Sequence, residues 1–439
     1  MSDSGLSGGN RDTGFQLQGL PQSGREAELR ARTPIELLAS QFVDELRRGE
    51  RPSVETYAKR YPLHADVIRE SFPVMAMLEQ ARLQNETRAM GRSIPQRFPF
   101  THLGRCELLC ELGRGGMGVV FQGRDTDSGH IVAVKVLPWR VSMVPDWQNR
   151  FENEARTAAR LRHRNIVPVY RFGQEHGYCY YTMQFINGVS LDQIVTRLKD
   201  EDGVVYQDEI AREQERRPDG FISGVSDPEP PSGLHKDFGG DSRRRRLSRF
   251  SWRAFTQIAM QVCEALRYAH QQQLIHNDIK PANILLNEYG RVWITDFGLS
   301  GSVHVSESAD EPAHLHGTLR YMAPERFSGS YDVRSDLYSL GLTLYEMLTL
   351  VPAFNADSEA ELIRRIRDEP SIRPSRLQRK IPRDLETIVL NCLAKRPEER
   401  YQSADALYAD LLLCGHGHRV RSTRRRKLSS LWHQWPSRG

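Results

Sequence analysis

The sequence predicts an α+β protein built as two lobes. Short β-type runs crowd residues 102–184, helical periodicity takes over after Leu191, and a glycine-rich turn separates the first two strands. Strands first and helices afterwards imply two differently built halves. With 439 residues the chain is too long for one ordinary core, so two or three structural units are expected. Hydrophobic residues make up 39%, below the roughly 45–50% usual for a compact domain, which implies polar stretches around a folded centre. A charged fraction of 27% excludes wholesale disorder and a collagen-like fibre. Six cysteines, scattered from Cys106 to Cys414, suit a reducing cytosol better than a disulfide framework. The Gly/Ser-rich start, Met1–Asn10, lacks the apolar centre of a secretory signal, and no run of about 18 apolar residues is present to span a membrane.

The elements follow in order. Residues 1–32 read as polar and disordered. Thr33, Pro34 and Glu36 form the start of a helix, with Thr33 as N-cap and Glu36 closing a capping box. Ile35, Leu38, Phe42 and Leu46 then share one face up to Gly49. Ser53 opens a second helix with Val54, Tyr57 and Tyr61, and a third passes through Val67, Ile68, Phe72 and Leu78. Together they make a small helical segment at 33–84, either a module of its own or an arm that folds by packing on the main domain. A linker, 85–101, follows. Strands are expected at 106–110, 119–123, 131–137, 167–170 and 178–184, with a helix at 146–162 among them. Residues 197–249, rich in Asp, Glu, Arg, Pro and Gly, read as a loosely attached insertion within a main unit at 102–415. Helical periodicity resumes from Trp252 to about His270.

The tail, 416–439, holds seven Arg or Lys and no acid. The whole chain has 61 − 56 = +5, so without that tail it is 5 − 7 = −2, close to neutral. Cys414, His416 and His418 lie together but read as a surface turn, since no second ligand group is near in sequence.

The chemistry sits in three places. Gly113, Gly115 and Gly118 lie in a strand–turn–strand context, which suits a flap over phosphates because any side chain would keep backbone amides from the oxygens. Lys135 falls inside the apolar run Val132-Ala133-Val134-Lys135, where an unpaired ammonium is costly, and Glu154 on the following helix is its expected partner. The strongest signal is His276-Asn277-Asp278-Ile279-Lys280-Pro281-Ala282-Asn283, followed by Asp296-Phe297-Gly298. Phosphoryl transfer needs metal ions on the phosphates, a cation, and a carboxylate to position the attacking hydroxyl. Asp278, Lys280, Asn283 and Asp296 supply that set in order.

On these motifs the chain resembles the eukaryotic-type Ser/Thr protein kinases of bacteria, over about 104–415 apart from the insertion. The resemblance implies a bilobal kinase fold, with a β-rich N-lobe carrying one helix and a helical C-lobe. It implies ATP and Mg²⁺ as cofactors, with Mn²⁺ as an alternative metal. Leu112, Gly113, Gly115, Gly118, Val120, Ala133, Met183, Gln184, Ile186 and Leu285 would surround the nucleotide, with Met183 as gatekeeper and Gln184–Ile186 as hinge. Lys135 would contact the phosphates and pair with Glu154. Asp278 would act as base, Lys280 would steady the transferred phosphate, and Asn283 and Asp296 would hold the metal. Gly317-Thr318 and Ala323-Pro324-Glu325 resemble the end of an activation segment. Asp336 resembles the residue that ties down the catalytic loop, and Arg400 the ion-pair partner of Glu325. Lys280 and Thr318 resemble the Ser/Thr subgroup more than the Tyr subgroup.

Two departures bear on control and on substrate choice. Asn277 stands where the family usually has Arg, so activity is expected not to need phosphorylation of Leu299–His316, which already carries Glu307, Asp310 and Glu311. Ala282 stands where members preferring basic substrates carry Glu. Arg245-Arg246-Leu247-Ser248 and Arg426-Lys427-Leu428-Ser429 read first as flexible basic stretches, and alternatively as self-phosphorylation motifs, which would require self-association. The basic tail with Trp432 and Trp435 suits an anionic membrane surface or docking on the chain's own main unit, and nucleic acid is the less favoured partner. Protein substrates with Ser or Thr, and a cytoplasmic location, complete the expectation. The other classes weighed are a pseudokinase binding module and a small-molecule phosphotransferase.

Overall fold

A computed structural model describes residues 34–69, 72–73, 75–76, 79, 100–115, 118–137, 152, 155–202, 252–287, 289–297 and 319–420. The expected polar start 1–32, most of the 85–101 linker, the insertion beyond Asp202, Glu154, Leu299–Thr318 and the tail from Arg421 lie outside these residues.

The N-lobe is a six-stranded antiparallel sheet. Its strands are β1 (His102–Leu103), β2 (Cys106–Gly115), β3 (Gly118–Asp125), β4 (Ile131–Val136), β5 (Val169–Glu175) and β6 (Tyr178–Gln184), in the order β1-β2-β3-β4-β6-β5. Side chains alternate across it. Val132, Val134 and Val136 pack on one face with Leu103, Phe121 and Tyr180. Ala133 and Lys135 must therefore face the other way, toward the second lobe. Sequence patterning placed a strand at 167–170, but β5 begins at Val169. Pro168 has no N–H to give a ladder, and the Val167 N–H bonds Ile294 O at 2.9 Å instead.

The C-lobe begins with β7 (Gly188–Ser190), α3 (Leu191–Asp202) and α4 (Trp252–Gln271). Then come β8 (Ile284–Asn287) and β9 (Val292–Ile294), which join β7 in a second small sheet. α5 (Val333–Thr349), α6 (Glu359–Asp368), α7 (Pro374–Leu377), α8 (Arg383–Cys392) and α9 (Ala404–Gly415) complete it. α3 runs past Arg197 to Asp202, so the start of the expected insertion is helix. Leu198 is buried in the core, and Lys199 pairs with Glu346 at 3.0 Å. These tertiary contacts override the polar composition that suggested a loose segment.

α5 is the hub, buried from Ser335 to Thr349. Asp332 caps it by accepting from Arg334 N–H at 2.8 Å. Gly341 allows α8 to approach, because a Cβ there would lie 2.5 Å from Cys392 Cβ. Arg400, fully buried, forks onto Glu325 at 2.8 and 2.7 Å and caps the carbonyls of Ala394 and Lys395 at 2.7 and 2.9 Å. The pairing expected from the sequence is present. Removing one member of such a pair costs about 3–5 kcal/mol, because the other charge stays buried.

The segment before the N-lobe holds helices α1 (Pro34–Arg47) and α2 (Val54–Arg60), with further helical residues at 65–69. Leu38, Phe42, Ala58, Ile68 and Phe72 form a cluster of their own. Phe42 sits at its centre, 5.4 Å from Tyr57 and 4.6 Å from Phe72 between ring centroids. Met75 reaches the C-lobe, its Cε 3.8 Å from where a Cβ on Gly290 would be. Among the described residues no helix is long and apolar enough to cross a membrane.

Candidate active site

The strand alternation that turns Lys135 toward the cleft also buries it, at 4% exposure. An ammonium so placed needs an anion. Asp296 supplies one, with Lys135 Nζ 2.7 Å from Asp296 Oδ1. The Tyr181 hydroxyl donates to the same oxygen at 2.7 Å. The register explains this, since Tyr181 lies opposite Lys135 on β6. Burial alone would raise the Asp296 carboxyl, but Lys135 outweighs it and holds the group below its ordinary 3.8. Asp296 has φ 61°, a left-handed conformation that costs a non-glycine residue about 1–3 kcal/mol and persists only where contacts over-determine it. Glu154, the partner expected from sequence, lies outside the described residues.

The second group of residues surrounds Asp278. Lys280 Nζ lies 2.8 Å from Asp278 Oδ2. Asn283 donates through Nδ2 to Asp278 O at 2.8 Å and to Oδ2 at 2.9 Å. Pro281 starts the short 3₁₀ turn Pro281–Asn283 that brings the amide round to the carboxylate. Thr295 N–H then bonds Asn283 O at 3.0 Å, so the turn and the strand end before Asp296 are locked together.

Asp336, at the N-terminal end of α5, holds this loop from below. It accepts from the backbone N–H of His276 and of Asn277, each at 2.8 Å, and lies 2.8 Å from His270 Nε2. Burial would raise its carboxyl, yet His270 and the neighbouring donors keep it below 3.8. His276 is fixed on both edges. Its Nδ1 accepts from Asp278 N–H at 3.2 Å, so Nε2 carries the proton and donates to Thr295 O at 2.8 Å. Burial lowers its pKa below the ordinary 6.5 despite the nearby carboxylates, and it stays neutral. Its ring meets Phe297 edge-on at 4.4 Å.

The remaining expected residues line the space between the lobes. Leu112, Val120, Ala133, Met183, Ile186 and Leu285 belong to one apolar cluster that joins both lobes. Met183 faces Ala133 across the β4–β6 ladder, and Gln184 ends β6 with its N–H on Pro168 O at 3.0 Å. Gly113 and Gly115 lie on the β2–β3 hairpin above them. A Cβ on Gly113 would meet nothing within 4 Å, which leaves its backbone open. Gly118, at φ 124°, has no such freedom: a Cβ there would come within 2.1 Å of Val136 O.

Three contributors carry no signal in the sequence. Tyr181 reads as strand alone, and its role needs the β4–β6 register. His270 lies in the last turn of a helix, and only folding brings it to Asp336. Arg326, which follows Ala323-Pro324-Glu325, donates to Asn277 O.

Asn283 and Asp296 carry hard oxygen donors, the kind that a divalent metal takes when substrate phosphates complete its shell. Fold and site are together those of a two-lobed protein kinase. The family model described as protein tyrosine and serine/threonine kinase matches residues 106–410, and the chain belongs to that family. As a family, these proteins use ATP with divalent metal. The chain is 35% identical over 323 residues to a probable serine/threonine-protein kinase of Streptomyces coelicolor, covering 73% of this chain and 41% of that protein. It is 34% identical over 325 residues to the serine/threonine-protein kinase PknB of Mycobacterium tuberculosis, covering 72% of this chain and 44% of that protein. It therefore spans about two fifths of the length of these relatives. A solved PknI kinase domain of M. tuberculosis matches with TM-score 0.49 and 22% identity, covering 72% of this chain and 96% of that one.

The lowered pKa of His276 has a testable sign. Below pH 6.5 the unfolded chain takes up a proton that the folded chain refuses, so stability falls as pH drops from 6.5. The Asp336 contribution, by contrast, is lost only below its ordinary 3.8. Denaturant unfolding of the wild type between pH 7 and pH 5 is expected to show this decline. His276→Gln is expected to be less stable at pH 7 but with a shallower slope, and parallel slopes would contradict the assignment.

Proposed function

We propose that the protein is an ATP- and Mg²⁺-dependent protein kinase that phosphorylates Ser or Thr hydroxyls, with Mn²⁺ as an alternative metal. The observation that carries this reading is the convergence of Lys135, Asp278, Lys280, Asn283 and Asp296 on one cleft. Asp278 orients the acceptor hydroxyl and takes its proton at the carboxylate. Lys280, already beside that carboxylate, stabilises charge on the group in transfer. Lys135 binds phosphate oxygens from the buried floor of the N-lobe, and Glu154 is its further partner there. Leu112, Val120, Ala133, Met183 and Leu285 hold a flat apolar ring, with backbone groups from Gln184 to Ile186 beside it, and Gly113, Gly115 and Gly118 cover phosphates. Asn283 and Asp296 hold the metal, which neutralises charge on the phosphate oxygens. The rate comes mainly from positioning and charge stabilisation.

In this reading 102–415 is the kinase unit with an insertion in the 197–249 region, and 33–84 is a regulatory or docking element. Copies associate at least transiently to phosphorylate Ser248 or Ser429, and activity does not depend on phosphates in Leu299–His316. The test uses ATP labelled at the γ-phosphate, Mg²⁺ and a generic basic protein. Asp278→Asn is expected to lower transfer by about 10²–10⁴-fold and Lys135→Met comparably. Label appearing on Asp278→Asn chains mixed with wild type reports transfer between copies. Nucleotide binding without transfer by the wild type would favour a pseudokinase.

A second reading concerns location, a cytoplasmic chain that rests on an anionic membrane surface. Residues 373–383 hold five Arg or Lys and no acid. The start of the tail is pinned beside them, because Val420 N–H donates to Asp384 Oδ1 at 3.1 Å. The described end of the chain is thus held next to a basic run, and the sequence beyond it carries five further Arg or Lys by Lys427 and then Trp432 and Trp435. Sedimentation with anionic vesicles is expected for the full chain and not with neutral ones. It should weaken both on removal of 421–439 and in R379A/R383A. Equal sedimentation of all forms, or equal binding to duplex DNA at the same salt, would contradict it.

A further inference from the structure

The backbone just before Asp278 is held at both of its hydrogen-bonding groups. Asn277 has φ 65°, a left-handed conformation that asparagine tolerates better than most residues. Its N–H goes to Asp336 Oδ1 at 2.8 Å, and its C=O accepts from Arg326 Nη1. The Oδ1 of its own side chain does not share this work, being buried without a hydrogen-bond partner. The two clamps come from different elements. Asp336 belongs to α5, whereas Arg326 belongs to the 3₁₀ turn Pro324–Ser328, which starts at Pro324 of the Ala-Pro-Glu segment.

Arg326 is well placed to hold a fixed orientation. Its neighbour Glu325 is locked by Arg400 and by the Ser335 hydroxyl, which donates at 2.7 Å. Its guanidinium lies 5.9 Å from the Tyr331 ring centroid. Burial pulls its pKa down, while the nearby carboxylates of Asp278 and Asp336 act to raise it. A guanidinium keeps its charge regardless, and a charged donor on a carbonyl is about twice as strong as a neutral one.

We propose that Arg326 is a positioning residue for phosphoryl transfer: by clamping the Asn277 carbonyl it orients the Asp278 carboxylate and couples it to the segment after Ala323-Pro324-Glu325. This rests on the proposed kinase activity. Arg326 touches neither nucleotide nor metal in this account, so its loss should act on turnover and leave nucleotide affinity alone. A displacement of about 1 Å at a reacting group can cost on the order of 10²-fold.

The experiment compares wild type, Arg326→Met and Arg326→Lys, using the full chain. Turnover is read with a basic protein substrate, and ATP affinity by calorimetry. Arg326→Met is expected to lower kcat by about 10–100-fold with ATP affinity and KM for ATP within twofold of wild type. Arg326→Lys, which can still donate one bond to the carbonyl, should recover part of the loss. Amide hydrogen exchange of 275–281 should quicken in Arg326→Met while α5 keeps its protection. A folded Arg326→Met with kcat within twofold of wild type and unchanged exchange at 275–281 would overturn the proposal. So would exchange that quickens equally across α5, which marks a general loss of stability. If the wild type transfers no phosphate, the kinase reading fails, and the exchange comparison still decides whether Arg326 clamps the loop.

Discussion

Asp336 is the residue on which the rest of the site depends. One buried carboxylate at the start of α5 holds the N–H groups of His276 and Asn277 and meets His270, each at 2.8 Å. Taking that charge out of water is costly, and only several charge-assisted bonds outweigh it, each worth about 1.5–3 kcal/mol. The arrangement uses the hub helix as a fixed base. α5 is buried nearly throughout and packs against α4 and α8, so a group on it cannot drift. Everything above inherits that rigidity. Asp278 follows two anchored residues, Asn283 is folded back onto it, and Thr295, between the end of β9 and Asp296, ties the turn to that segment.

The two halves of the site are built by opposite means. Around Asp278 the backbone is immobilised by side chains from the C-lobe. Around Lys135 a sheet does the work, since pleat alternation turns the ammonium inward and the register sets Tyr181 opposite it. The Lys135–Asp296 bond joins them, one partner from each lobe. A left-handed Asp296 and a left-handed Asn277 are the local strain that this double anchoring sustains.

Much of this was legible in the sequence, for identifiable reasons. The glycine turn, Lys135, Asp278, Asn283 and Asp296 are short-range motifs whose spacing survives without any fold. Arg400 and Glu325 were legible as a pair only through the family resemblance. What escaped was long-range or set by register. Tyr181 needs the β4–β6 pairing, and His270 and Arg326 are brought in across 66 and 49 residues of chain. Polar composition also misled at Arg197–Asp202, where burial of Leu198 and the Lys199–Glu346 pair sustain a helix that composition alone disfavours. Pro168 shifted a strand for the reverse reason, a missing donor that the hydrophobic pattern does not register.

The most direct test of Asp336 as the anchor is amide hydrogen exchange in Asp336→Asn, which keeps the side chain's shape and removes its charge. The account predicts that the His276 and Asn277 amides lose protection by at least about tenfold, equivalent to the 1.4 kcal/mol or more that a charged acceptor contributes. The Lys135 strand β4 should keep its wild-type protection, because its ladder is independent of α5. Unchanged protection at His276 and Asn277 would contradict the account.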